Sequence, residues 1–513
     1  MTAPSGRFLM RCTMTIATPA LLAEIERRAE ARREEIRRRP DALCIEGSVY
    51  YVSADGSDDA DGLTEASAWR TPARVSAAPL LAGDGVLFRR GDIFRGTVIA
   101  KSGVTYGAYG EGDKPCLVSG ERDLADPSLW ESYDAAHAIW RLRLPLLDVG
   151  NLIFDGGRAH GYRHIPSYIG GRFVVREDES RPFAISEELK NDLDFYWHYE
   201  DRMTEKAYNG QSFPVPQIDN ESFGTLYLCS KRGNPGEVFS SIEAAVRRQG
   251  FAVGECENVR IDNICLKYIG WHAVAAAGMC IRGLRVTGCE IGWIGGCIHS
   301  YFGTDPNYPE GGRGTIGRFG NGVEIYGGCL DYEVSDCYVY ECYDAGVTHQ
   351  VTTFGRTFDM KGIVYKNNLI EKCVYSIEYF LEVNGGGGGC MEDVLIEGNL
   401  LRFAGEGWGQ QRHNKHTPAH LKGWSFTNTA KDYRVIGNCL DRAAYRMVHL
   451  VADEAASCPR LSGNTFIQYL GHPLGQYGGK EQGEPPVHAF LENAEAVIRT
   501  VLGDTEATVI TVL

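Results

Sequence analysis

Six short segments, VTGC, VSDC, YKNN, IEGN, VIGN and LSGN, recur between residues 286 and 464 and place Cys289, Cys337, Asn368, Asn399, Asn438 and Asn464 at one equivalent position. A unit that returns once per turn marks a solenoid, in which each coil is buried by its neighbours. Stacked Asn side chains can bond one another and the corner backbone, and Cys is small enough to share the slot. A solenoid also suits the length, because 513 residues exceed what one compact core normally holds. The steps between rungs vary, so loops of different length must leave the same corner, and loops are where function collects. The longest spans residues 302–320.

Ahead of the repeat, Thr18-Pro19 reads as an N-cap followed by Pro at the first helical position. Leu22, Ile25, Ala29 and Ile36 then keep helical spacing up to Pro40, while Arg and Glu alternate on the other face. A solvated, salt-bridged helix is expected, placed as a plug for the open end of the solenoid. From Val49 the chain turns to short β-branched runs punctuated by Gly and Asp, which close tight corners. Residues 121–250 break that rhythm with Trp130, Trp140, Trp197 and mixed charge, and 241–248 have a short helical pattern. The expected organisation is a tail and helix (1–45), first coils (46–120), an inserted mostly β subdomain (121–250), the main coils (251–470) and a C-terminal tail (471–513).

The order YYVS-x-D-G-S-D, T-P-x-R-V, G-D-G-V-L-F-R-R-G-D-x-F-R-G and Y-G-A-Y-G-x-G-x-K-P resembles the opening coils of right-handed parallel β-helix proteins of the pectate-lyase-like superfamily. That resemblance implies an all-β, right-handed parallel β-helix that handles carbohydrate.

After each ladder corner comes a second strand: GNGVEIY, DAGVTHQ, YSIEYF and YRMVHLV. Aligning Val323, Val347, Ile377 and Val448 as buried puts Glu324, Thr348, Glu378 and His449 on the outward side, since strand side chains alternate. Lys and Arg are missing from this row as aligned. Coils stack about 4.8 Å apart, so neighbouring outward groups can reach one sugar and its linkage together. The segment GGCIHSY competes with GNGVEIY for this sheet and would put His299 in the row in place of Glu324. Asp344 and Glu378, one coil apart and flanked by Glu324, form the candidate catalytic set, because glycoside hydrolysis needs two carboxyls with one kept protonated. Adjacent-coil spacing suits retention. Asp344 could instead cap the turn at YDAG. Glu378 among Tyr375, Tyr379 and Phe380 is harder to read as structural, because a buried carboxylate among aromatics is costly.

Candidate donors and platforms for sugar hydroxyls are His299, Arg318, Asn321, His349, Gln350, Tyr379 and His449, with Trp408, Gln410, Arg412 and His413 from WGQQRHNKHTPAH. The His spacing there lacks interleaved Cys or carboxylate, so no metal is expected. Asp55, Asp58, Asp59 and Asp61 lack the spacing and terminal Glu of a calcium loop and read as a turn-rich corner. No cofactor is required.

The early inserted subdomain, RFGNGVEIYGG, YDAGVTHQ and a Glu on the next coil look like β-helix glycoside hydrolases of the family 120 β-xylosidase type. That family resemblance implies an Asp nucleophile and a Glu acid/base, mapped to Asp344 and Glu378. The polygalacturonase pattern of NTD, GHG and RIK is absent. The competing readings are a β-helix polysaccharide lyase or epimerase, kept open by His299 or His449, and a non-catalytic carbohydrate-binding scaffold. With 52 basic against 67 acidic residues and a net charge of −15, nucleic acid is a poor partner, and no apolar run is long enough for a bilayer. The expected partner is an oligosaccharide, with self-association left open. Sixteen Cys without a CxxC pair and no secretory signature point to free thiols and a cytoplasmic address.

Overall fold

The computed structural model describes residues 14–41, 43–169, 172–199, 203–208, 211–302, 315–412, 418–424, 430–479, 490 and 494–513. His413 and residues 303–314 of the long loop lie outside them.

The described strands build a right-handed parallel β-helix. Its third face runs parallel from Ile93–Arg95 through Glu290–Ile294, Tyr338–Cys342, Leu369–Glu371, Leu400–Ala404 and Cys439–Ala443 to Thr508–Val512. Between the second face, which includes Arg260–Asp262, Arg285–Thr287 and Arg460–Ser462, and the third the chain turns sharply, and one left-handed residue recurs: Gly288, Asp336, Asn367, Gly398, Gly437 and Gly463 all have φ between 52° and 65°. Gly, Asn and Asp tolerate that conformation where other residues are strained, which explains the residue before each rung.

The rungs themselves bond in one direction. The Cys289 amide donates to Cys337 Sγ at 3.4 Å, the Cys337 amide to Asn368 Oδ1, and the backbone and side-chain amides of Asn368, Asn399 and Asn438 to Oδ1 of the next Asn at 2.9–3.1 Å. Asn464 ends the series on Asp504, whose Oδ2 accepts from Asn464 N at 3.0 Å and Nδ2 at 2.9 Å. Each bond is worth about 1 kcal/mol net, but an unmatched buried amide would cost more than that. The lumen is filled by two stacks, one through Ile261, Val286, Val334, Tyr365, Ile396 and Val435 and the other through Tyr332, Ile363, Val394 and Tyr433.

The helix α1 (Pro19–Arg37) is capped by Thr18, whose Oγ1 accepts from Leu21 N at 3.1 Å. It does not plug an end. Its stripe Ile25, Ala29 and Ile36 packs along the third face on Tyr338, Leu369, Leu400, Cys439 and Ile467, because that face presents apolar side chains outward. Burying such residues contributes about 1.5–3 kcal/mol each for the larger ones. Its basic face is only partly solvated: Arg33 meets Glu371, Arg37 meets Glu290, and the following Arg39 meets Asp262, at 2.9–3.0 Å. The helix therefore clamps several coils.

Residues 130–229 contribute a six-stranded sheet with its own core around Trp130, Leu142, Phe195, Trp197 and Leu226. The helical pattern at 241–248 is overturned. Ile242–Val246 is a strand with all five residues buried, pairing antiparallel with Val149–Phe154 and joining the third face at Ile269. Burial on both sides decides this, since a continuous apolar run of that length serves a helix or an interior strand equally. Among the described residues no helix is long and apolar enough to cross a membrane. All described cysteines are free thiols. Asp58 accepts from the Arg70 and Thr71 amides and Asp61 from the Leu63 amide, so these two carboxylates hold turns.

Candidate active site

Six strands of one face carry the site: β1 (Val323–Ser335), β2 (Ala345–Thr352), β3 (Tyr375–Glu382), β4 (Ala419–Gly423), β5 (Arg446–Ala452) and β6 (Gly475–Gly479). Their register stacks Val323, Val347, Ile377, Leu421, Val448 and Gly475. One residue on, the outward row reads Glu324, Thr348, Glu378, Lys422, His449, Gln476. Lys422 is thus in the row, contrary to the expectation that no Lys or Arg stands there. The segment AHLKG repeats the small-x-aliphatic-polar order of DAGVTHQ, a signal in the sequence that identifies it. The competing segment with His299 lies elsewhere: Cys297–Phe302 pairs antiparallel with Thr315–Phe319 as a hairpin.

The row is outward from the lumen yet sheltered. Thr348 is fully buried, and Glu378 and Lys422 are 5% and 2% exposed. Part of the cover comes from loops that leave between coils. The coil between Ile377 and Leu421 is the longest of the five, and its surplus forms the short turn Trp408–Gln411 that brings in Arg412. Arg412 ion-pairs with Asp344, the corner residue entering β2, and lies over the rings of Phe319 and Tyr375. Trp424, just after β4, donates its indole N–H to Glu378 Oε1 and offers its ring to Lys422 Nζ, 3.8 Å from the centroid.

Three carboxyls therefore converge with different protonation. Burial drives Glu378 up to about 8, helped by the charge of Asp344 and opposed by Trp424, Arg412 and Lys422. Burial also raises Asp344, and Arg412 works against it. The mutual effect of Asp344 and Glu378 is that of one coupled pair. Because Asp344 has the guanidinium, it takes the charge and Glu378 keeps the proton near neutrality. Glu324 behaves oppositely: burial alone would raise it, but His272 Nδ1 and Asn321 Nδ2, each 2.7 Å from Oε2, bring it below the ordinary carboxylate range. Lys422 is lowered to about 7 by burial and by Arg446, with Glu378 opposing. His449 is lowered by burial and by Lys422, so it is neutral, with Nδ1 on the Gly423 carbonyl.

The remaining expected residues divide. Asn321 holds Glu324 by Nδ2 and the Ala345 amide by Oδ1. His299 stacks on Trp271 at 5.4 Å and touches Phe319 edge-on, giving an aromatic flank on the Glu324 side. Gln350 is buried with Oε1 lacking a hydrogen-bond partner among the described residues, as does Thr348 Oγ1. Gln410 is exposed on its turn.

Four assignments are corrected. His349 and Tyr379 point into the lumen, where they stack at 5.5 Å and His349 Nδ1 meets Tyr365 Oη at 2.9 Å. Alternation requires this, since each lies two residues beyond an inward aliphatic. Arg318 is buried on backbone carbonyls, Gly296 at 2.6 Å and Gly150 at 3.2 Å, and over the Tyr343 ring. Trp408 is a packing residue whose indole N–H donates to the Glu341 carbonyl at 2.7 Å. Sequence reading missed Lys422, Trp424, His272, Trp271 and Arg446. Among the described residues no group of three or more His, Cys, Asp or Glu is placed to hold a metal ion.

No protein-family model and no curated protein sequence matches this chain. Among solved structures, the complex of XylC with xylose aligns with a TM-score of 0.43 and 12% identity over 83% of this chain and 69% of that one. The GH136 lacto-N-biosidase from Eubacterium ramulus gives 0.35 and 13% over 91% and 69%. A protein titled glycoside hydrolase gives 0.32 and 12% over 91% and 97%. The fold rests on the strand pairing of this chain, and the chemistry of the site on its own geometry.

Proposed function

We propose that the chain is a glycoside hydrolase acting on oligosaccharides by double displacement. The observation that carries this reading is the buried Asp344–Glu378 pair on successive coils, one carboxyl charged on Arg412 and the other protonated under Trp424. Glu378 would protonate the leaving oxygen and then deprotonate water, and Asp344 would attack the anomeric carbon. Glu324, kept ionised by His272 and Asn321, would stabilise positive charge developing on the ring. Trp424 and the Trp271–His299 stack supply apolar faces for sugar rings on either side. A reducing compartment, the cytoplasm, is the setting we propose for its free thiols.

A panel of aryl glycosides tests this. Glu378→Gln and Asp344→Asn should each lower aryl release at least about a hundredfold. Azide should rescue the Glu378→Gln variant on activated aryl substrates, yielding a glycosyl azide of retained configuration. Full activity in both variants would end the reading.

A second reading is favoured by one observation, the position of Lys422 beside Glu378 with an ammonium that loses its proton near neutrality. Such an amine could serve as the base of a uronate lyase. Unsaturated uronate absorbance from a polyuronide, abolished by Lys422→Met and not by Asp344→Asn, would select it.

A further inference from the structure

We propose that the site, beyond its carboxyl pair, binds a sugar that itself carries a carboxylate, a uronate, and that Lys422 and Arg446 receive that group. The inference rests on the reading of the site as a carbohydrate site and adds the class of sugar.

Along the row the character changes sign. Glu324 and Glu378 stand on β1 and β3, and Lys422, His449 and Gln476 follow on β4, β5 and β6. A second stack beside it, Tyr375, Ala419 and Arg446, brings a guanidinium to the same end. Arg446 is 7% exposed and oriented by Gln476 Oε1 at 2.6 Å from Nη1. Its charge is one of the influences that lower Lys422.

Lys422 is the unusual member. Among the described residues no carboxylate oxygen lies within ion-pair distance of its Nζ, whose neighbours are the Trp424 ring and His449 Nδ1 at 3.2 Å. Other buried or half-buried cations have oxygen partners: Arg163 has Asp148, Lys267 has Glu290, Arg402 has Asp441 and Glu371, Arg412 has Asp344, Arg318 has backbone carbonyls and Lys114 has Asn263 Oδ1. A buried ammonium without an anion is destabilising, and the nearest carboxyl, Glu378, holds its own proton. The missing partner is an anion that arrives with the ligand. The location selects which: one coil from the Asp344–Glu378 pair, a carboxylate on the bound sugar reaches Lys422 while its ring lies against Trp424. The chain's net charge of −15 repels anions in general, so the local pair of cations confers selectivity that the surface does not.

The test reads binding to the full-length protein without turnover, so it stands whether or not aryl glycosides are cleaved. Calorimetric titration compares glucuronate and galacturonate with glucose, galactose and the uronate methyl esters. At least one uronate should bind ten times or more tightly than its neutral sugar and its ester, and Lys422→Met should bring the ratio within twofold while neutral-sugar binding persists. Removing an unpaired buried charge should leave the fold intact, which a melting curve checks. Arg446→Gln supplies a second variant, expected to lower the preference in part. Equal binding of acid and neutral sugars, no binding of either, a preference surviving Lys422→Met, or tighter binding of a sulfated monosaccharide than of any uronate would each overturn the proposal.

Discussion

Two clusters of His, Tyr and neighbouring polar groups lie back to back across β2 and β3, and they are built by opposite logic. Inside the lumen, His349 stacks on Tyr379, reaches Tyr365 at 2.9 Å through Nδ1 and Tyr433 at 3.4 Å through Nε2, and is pushed down to about 3 by burial alone. Each ring nitrogen has a phenol. One residue earlier on β2 and β3, Thr348 Oγ1 has no partner among the described residues and Glu378 is buried against a second carboxyl, and beside them on β4 Lys422 is buried without an anion among the described residues. Burial of polar groups is therefore not by itself the mark of a site. A completed hydrogen-bond set makes structure, while an incomplete one, kept at a price in stability, leaves valences for something that binds.

Substitutions on the two sides should separate the clusters. Asp344→Asn and Glu378→Gln are expected to cause the largest loss, at least about a hundredfold in kcat/KM, in a protein that remains folded by circular dichroism. On the lumen side, His349→Phe strands the hydroxyls of Tyr365 and Tyr433 and should lower stability by about 1–3 kcal/mol in urea unfolding, with kcat/KM within about threefold. Equal effects on activity from both sides would erase the distinction.

The pH response sharpens it. A carboxyl whose folded value is raised to about 8 binds its proton more tightly in the native than the unfolded chain, so it lowers stability as pH climbs from about 4.5 to 8. Glu378→Gln should flatten that decline. The variant should match wild type near pH 4 and exceed it above pH 8 by up to several kcal/mol, since each tenfold change in proton affinity is worth about 1.4 kcal/mol. In the hydrolase, activity should fall above about pH 8 as Glu378 loses the proton it must give. The smallest effect belongs to Thr348→Val. With no hydrogen bond to lose in the free protein it should leave the melting temperature within a few degrees, yet raise KM severalfold if its hydroxyl meets the sugar.

Much of this was readable in the sequence wherever one residue type had one job. The ladder was, because only small or amide side chains fit it, and the row through Glu324, Thr348 and Glu378 was, because Val323, Val347 and Ile377 fix the alternation. The same rule carried two residues further would have turned His349 and Tyr379 inward. Lys422 escaped because its strand follows the longest of the five intervals, so no neighbouring rung brackets it closely. Arg412 was visible only as a loop residue, since its pairing with Asp344 depends on how that surplus chain folds back. Trp408 and Arg318 illustrate the opposite difficulty, in that residues able to serve a ligand can equally serve backbone carbonyls, and only coordinates separate the two.

The rung at Asp504 is unlike the others. An amide passes the pattern on, accepting on one side and donating on the other, whereas a carboxylate can only receive. With Asp504 taking both amides of Asn464, the run of side-chain amides closes on an acceptor that has no side-chain N–H to pass on. Alongside, Thr511 exchanges hydrogen bonds with Thr15 and Ala17, so the exposed edge of the final strand is already occupied by the start of the same chain. A strand edge left open is a template for pairing with another chain, and here residues 15–17 cover that edge at Thr511.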